Sequence, residues 1–136
     1  GPVGSGQVTK AANQLIVGGT LALVAEATVL LKKSGVDPAT ALSALRGGLA
    51  GSRILDLKGP QMIEREFTPT FAAGLHLKDM DIAMAVGHEA HCVLPVTACV
   101  LQLFEAVCAC GFAEQDHSAI IKIIETLSGI EVERRN

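Results

Sequence analysis

The chain has 136 residues, 49% of them hydrophobic, a formal net charge of −3 and neither tryptophan nor tyrosine. That length and apolar fraction suit one domain, residues 1–136, with a sizeable core. Mild acidity and the lack of large aromatic platforms argue against a nucleic-acid binder. Alanine and leucine dominate, strand-type alternation is scarce, and glycine and proline fall where helix ends belong. The chain therefore reads as all-α.

The opening turn, Gly1-Pro2-Val3-Gly4-Ser5-Gly6, runs into a helix expected from about Ser5 to Ser34, with Gly35 as the left-handed residue that closes it. At ~1.5 Å per residue such a helix is ~45 Å long, more than the width of a domain this size. Its middle, Leu15 to Leu31, is apolar nearly all round, but Glu26 and two threonines interrupt it and no asymmetric basic cluster flanks it. It reads as a buried helix and not as a membrane span. Neither a basic start nor a small-residue cleavage site frames it as a signal peptide. So short a chain leaves much of that helix bare, and a second copy of the chain, in a homodimer or higher homo-oligomer, is the expected cover.

Asp37-Pro38 is an N-cap followed by proline at the first helical position, and the helix it starts is expected to end at Gly47-Gly48. Ser52 caps a short helix expected to stop before Gly59-Pro60. Glu64 to Thr70 reads as a loop, and Phe71 to His91 as a helix with possible breaks at Gly74 and Gly87. Leu94-Pro95 restarts a helix that ends at Gly111, and Asp116 caps a last one to Ser128, closed by Gly129. The charged end, Glu131 to Asn136, is expected to fray. Four cysteines, Cys92, Cys99, Cys108 and Cys110, lie in apolar helical sequence; they suggest reduced, buried packing and a cytoplasmic address.

Chemistry is concentrated at the start. Glycines allow close backbone approach to a ligand, and the first turn of a helix offers free N–H groups and positive potential to an anion. Lys10, Asn13 and Gln14 stand at i, i+3 and i+4, so they share one helix face. Partly desolvated there, Lys10 is suited to protonating a nascent alkoxide. A dinucleotide fingerprint fails on context, since no strand precedes the glycines and no acidic residue follows at the required spacing. Lys78-Asp79 on its own reads as a surface ion pair. His88, Glu89, His91 and Cys92 lack the histidine spacing of a zinc helix, so no metal is expected. Cys108-x-Cys110 is too tight for the usual redox pair, and His117 beside Asp116 reads as a surface residue at a helix end.

Three stretches taken together resemble the β-hydroxyacid dehydrogenases, the family that holds 3-hydroxyisobutyrate dehydrogenase and tartronate semialdehyde reductase. They are Gly1-x-x-Gly4-x-Gly6-x-x-x-Lys10-x-x-Asn13-Gln14, Arg46-Gly47-Gly48-Leu49-Ala50-Gly51-Ser52 and Leu75-His76-Leu77-Lys78-Asp79-Met80. Asp116-His117-Ser118 adds to them, and the second stretch is particularly similar to the tartronate semialdehyde (2-hydroxy-3-oxopropionate) reductase branch. The resemblance implies the helical C-terminal domain of the 6-phosphogluconate dehydrogenase-like type, with one long first helix and about five to six shorter ones. It implies Lys10 as general acid and base, Gly4, Ser5, Gly6, Asn13 and Gln14 as substrate contacts, and Phe71, Lys78 and Asp79 closing over the cofactor, with Lys78 the foremost contact. NAD or NADP would be held mainly by a Rossmann domain that these residues do not include. By themselves they are expected not to turn over a small hydroxy acid or semialdehyde. The competing reading is a non-catalytic helical module that only pairs subunits.

Overall fold

The computed structural model describes residues 1–130; the expected fraying of Glu131 to Asn136 lies outside them. Six α-helices follow in order: α1 (Ser5–Lys33), α2 (Pro38–Leu45), α3 (Arg53–Glu64), α4 (Ala73–Glu89), α5 (Pro95–Ala109) and α6 (Ile120–Ser128). A single 3-10 turn, His117–Ala119, leads into α6, and one isolated bridge joins Ala72 to Asp116. The all-α reading holds for the described residues.

Local chemistry sets most of the boundaries. Gly4 adopts φ +87° ahead of α1, a left-handed conformation that glycine takes without a Cβ penalty. Asp37 accepts a hydrogen bond from Thr40 N–H at 3.0 Å with Pro38 behind it, and Ser52 accepts one from Leu55 N–H at 2.9 Å. Gly35 and Gly129 take the left-handed turns after α1 and α6. The α4 helix has no side-chain cap. Its first N–H groups are served by the chain ahead of α6, Ala73 donating to the Gln115 carbonyl at 2.8 Å and Gly74 to that of Ala113 at 2.9 Å.

Two expected boundaries move. The α3 helix runs on through Pro60 to Glu64, because its second half buries Met62 and Ile63. Two such side chains contribute about 3–6 kcal/mol, enough to offset the ~3 kcal/mol that an interior proline costs. The Asp56 carbonyl that Pro60 cannot serve instead accepts a long hydrogen bond from Arg46 Nη2, at 3.4 Å. The α4 helix passes unbroken through Gly74 and Gly87, which lie against Ala113 and Leu94 respectively.

The α1 helix is the spine, packed along its length by α3, α4, α5 and α6. Leu21, Ala25 and Val29 on its inner face meet Met62, Phe104 and the isoleucines of α6 in one core. It is long and apolar enough to cross a membrane, yet its inner side is packed against protein while Ile16, Leu23 and Leu30 point outward. The cysteines correct the expected burial: Cys92, Cys99 and Cys110 are exposed and Cys108 is half-buried, all four free thiols. They sit on the outer side of α5 and on its flanking turns, where the Thr97, Val100, Phe104 and Val107 face takes the inward position.

Candidate active site

The site forms where the first turns of α1 cross α4. Lys10 and Gln14, one helical turn apart, line a cleft of about 120 Å³ with Gln7, Ala11, Asp79 and Ile82. Gln14 is buried. Its Nε2 donates to Asp79 Oδ2 at 2.8 Å, and its Oε1 accepts from Asn13 Nδ2 at 3.0 Å. A carboxylate on α4 thus fixes which way round the Gln14 amide sits, and Gln14 in turn orients Asn13. Lys10 is exposed at the mouth of this cleft and has no ion-pair or hydrogen-bond partner among the described residues.

Gly4 and Ser5 line a second, wider cleft of about 780 Å³ that shares Gln7 and Ile82 with the first, so the two are neighbours. Gly6 faces neither. Lys78 is exposed on α4 and lies outside the lining of both clefts, and no ion pair joins it to Asp79, which turns to Gln14 instead. The surface-pair reading of Lys78-Asp79 therefore fails. Lys10 shares its cleft with Gln14 and Asp79, while Asn13 and Lys78 lie outside its lining. Phe71 is half-buried, its ring edge-on to His76 at 5.7 Å and tilted against His117 at 5.5 Å.

Beneath the cleft lies a polar layer that sequence reasoning overlooked. His117, expected at the surface, is buried, and its Nδ1 lies 2.8 Å from Nδ1 of the fully buried His76. His76 Nε2 lies 3.1 Å from the Gln14 carbonyl oxygen. Burial, then the neighbouring His76, push His117 down to about 4, against the pull of Asp116; burial also lowers His76. Next to them, fully buried Asp116 accepts from Lys58 Nζ at 3.2 Å, from Thr70 N–H at 3.0 Å and from Ser118 N–H at 3.0 Å. Three sequence neighbours, Asp116-His117-Ser118, signalled a helix start but not the contacts with His76, Thr70 and Lys58, which lie more than 40 residues away.

A dinucleotide and a small hydroxy acid are both anionic. The unpaired ammonium groups of Lys10 and Lys78, and the α1 N-terminus with no acidic residue in its first turn, fit such ligands. Asp79 lines the same cleft, one of its carboxylate oxygens engaged by the Gln14 amide.

The family described as "NAD-binding of NADP-dependent 3-hydroxyisobutyrate dehydrogenase" matches residues 4–124. The 2-hydroxy-3-oxopropionate reductase of Escherichia coli (strain K12) is 40% identical over 92% of this chain and 43% of its own length. The 2-(hydroxymethyl)glutarate dehydrogenase of Eubacterium barkeri is 35% identical over 97% of this chain and 44% of its own. The crystal structure of 3-hydroxyisobutyrate dehydrogenase from Salmonella typhimurium superimposes with a TM-score of 0.84 at 24% identity, over 88% of this chain and 42% of that one, a likeness of fold. The chain thus spans less than half the length of the relatives it matches.

Proposed function

This chain belongs to the NAD-binding family of the 3-hydroxyisobutyrate dehydrogenases, and from that premise we propose that it is the helical substrate-side domain of an NAD(P)-dependent oxidoreductase acting on tartronate semialdehyde or a related small 3-hydroxy acid. The observation that carries this reading is the unpaired Lys10 at the mouth of a cleft whose floor is a fixed Gln14–Asp79 pair.

The nicotinamide, when bound, supplies or accepts the hydride. In the reducing direction the Lys10 ammonium donates its proton to the substrate oxygen as that oxygen becomes an alkoxide; in the oxidising direction the neutral amine takes the hydroxyl proton. Gln14, held by Asp79, and Asn13, held by Gln14, present amide groups to the substrate without having to reorganise. The substrate carboxylate is assigned to the turn at Gly4, Ser5 and Gly6, where the Ser5 N–H is taken by the Pro2 carbonyl but those of Gly4 and Gly6 have no acceptor among the described residues. Lys78 and Phe71 are assigned to the cofactor side, with Lys78 paired to an anionic group of the dinucleotide. Lys10 is open to solvent here, and a nucleotide-binding fold closing over it would exclude water from the proton transfer.

Residues 1–136 alone are expected to give no turnover with NADH or NADPH and tartronate semialdehyde. Joined to a nucleotide-binding fold, they are expected to reduce it. In that enzyme Lys10→Ala should lower kcat by about a hundredfold or more while leaving the helical content intact. Activity within a few fold of the parent would remove Lys10 from the role of acid.

A second reading concerns the outer face of α1, where Leu23 and Gly19 line an apolar groove of about 360 Å³ with Val96 and Leu103 of α5. This groove favours pairing of two copies through α1, in addition to the catalytic role.

A further inference from the structure

Gln14 is held by α4 at two separate points. Asp79 takes its side-chain amide, and His76, three residues earlier and on the same face of α4, meets its main-chain carbonyl at 3.1 Å. A carbonyl only accepts, so His76 Nε2 must be the N–H that donates to it. A neutral imidazole carries one N–H, which leaves His76 Nδ1 as an acceptor. Its partner at 2.8 Å, His117 Nδ1, is then the donor. The hydrogen bonds run one way, from His117 to His76 to Gln14, and each ring has one permitted tautomer.

The surroundings keep His76 from doing anything else. Its ring stacks on Phe104 at 4.7 Å and 10°, and Phe71 closes its edge. On α1, Gly18 stands one turn after Gln14, and a Cβ there would come within 3.1 Å of both His76 Nε2 and Met80 Sδ. The close approach of α4 to α1 at this level therefore depends on a bare Cα. The Gln14 carbonyl is also the one that helix geometry gives to Gly18 N–H, so His76 adds a second donor to it without breaking α1.

We infer that His76, its Nε2–H fixed on the Gln14 carbonyl and its Nδ1 engaged by His117, is a positioning residue for the substrate-binding amide of Gln14. The two-point grip fixes both the height and the rotation of α1 at Gln14, and with them the floor of the Lys10 cleft. Loss of the His76 contact leaves Asp79 holding a side chain whose backbone has slackened.

The inference rests on the reading of Gln14 as a substrate contact, but its first test does not. In a ring-nitrogen NMR correlation of residues 1–136 at neutral pH, His76 should show the Nε2–H tautomer and His117 the Nδ1–H tautomer. His117→Phe, which leaves both His76 and the Gln14 carbonyl in place, should keep His76 in the Nε2–H form but free its Nδ1 side and shift the Gln14 side-chain amide signals. In the chain joined to a nucleotide-binding fold, His76→Phe should raise KM for the hydroxy acid about tenfold, the loss of one hydrogen bond, with kcat changed less than about threefold. His76→Gln, which keeps an N–H donor near the same place, should restore most of that loss. An Nδ1–H tautomer at His76, or Gln14 signals unmoved by His117→Phe, overturns the inference whatever the activity. Correct tautomers in a protein that turns over no hydroxy acid uphold the grip and sink the functional reading instead.

Discussion

Asp116 has no exposed surface, and burial by itself drives a carboxyl toward its neutral form. Hydrogen bonds from Ser118 and from Thr70 N–H, with the nearby His117, outweigh burial and hold Asp116 far below the usual carboxylate range. The charge is paired with Lys58, itself buried at the end of a side chain that reaches between Thr70 and Asp116. Asp116→Asn would leave that ammonium buried without a counter-charge, and a loss of about 3–5 kcal/mol is expected in urea denaturation. The double variant Lys58→Met with Asp116→Asn should recover part of it; a single variant within 1 kcal/mol of the parent would mean that the pair is solvated. His117 acts in a different pH window. Its folded value of about 4 lies below the ordinary 6.5, so between those values the unfolded chain binds the proton and the folded one does not. Stability is full above pH 6.5, falls as pH drops toward 4 by about 3 kcal/mol, and then levels off as far as this dyad is concerned. The groups facing the dyad are Asp116, Lys58 and, on the His76 side, Asp79; Asp116 adds its own loss only below the normal carboxylate range. Denaturation midpoints that are flat from pH 7.5 to 4.5, or a His117→Gln variant with the parent's pH dependence, would contradict this assignment.

At the scale of the element, what was legible in the sequence was whatever a helix end decides locally. Asp37-Pro38, Ser52, Leu94-Pro95 and Asp116 each carry their start signal within three residues, and each starts a helix or, at Asp116, the 3-10 turn that leads into one. Pro60 carries an equally local stop signal that loses to a distant cause, the burial of Met62 and Ile63 in the core that α3 shares with α1. The site divides in the same way. The shared face of Lys10 and Gln14 follows from helical spacing, whereas the Gln14–Asp79 bond joins residues 65 apart and the His76–His117 contact residues 41 apart. No periodicity encodes such pairs; only the packing of α4 on α1 creates them. The helical hydrogen bond missing at Pro60 gives a measurable consequence. Pro60→Ala supplies the missing N–H to the Asp56 carbonyl, now served only by a 3.4 Å contact from Arg46, and should stabilise the chain by about 1–2 kcal/mol. A destabilised variant would show that the helix is already relaxed around the proline ring.

For the whole molecule the long spine sets the remaining problem. One side of α1 is sealed by four helices, but Ile16, Leu23 and Leu30 stay 63%, 65% and 66% exposed along the other, and Val96 of α5 adds 69% beside Leu23. A row of this length at helical spacing is more than scattered surface apolarity, and water contact along it is costly at about 25 cal/mol per Å². Membrane insertion would cover the row only by stripping α1 of the core that it organises, since the same helix buries Leu21, Ala25 and Val29. Pairing of two copies covers it and leaves that core intact. The chain should therefore run at twice its 14.1 kDa in native mass measurements at micromolar concentration. Leu23→Glu should shift it to the monomer with its helical content retained. Cys99 provides an independent reading, because it lines the α1–α5 groove whereas Cys92 and Cys110 do not. Its maleimide labelling should slow as protein concentration rises, while that of Cys92 and Cys110 should not. Concentration-independent labelling of all three, together with a monomeric mass, would leave the outer face of α1 to be covered by something other than a second copy.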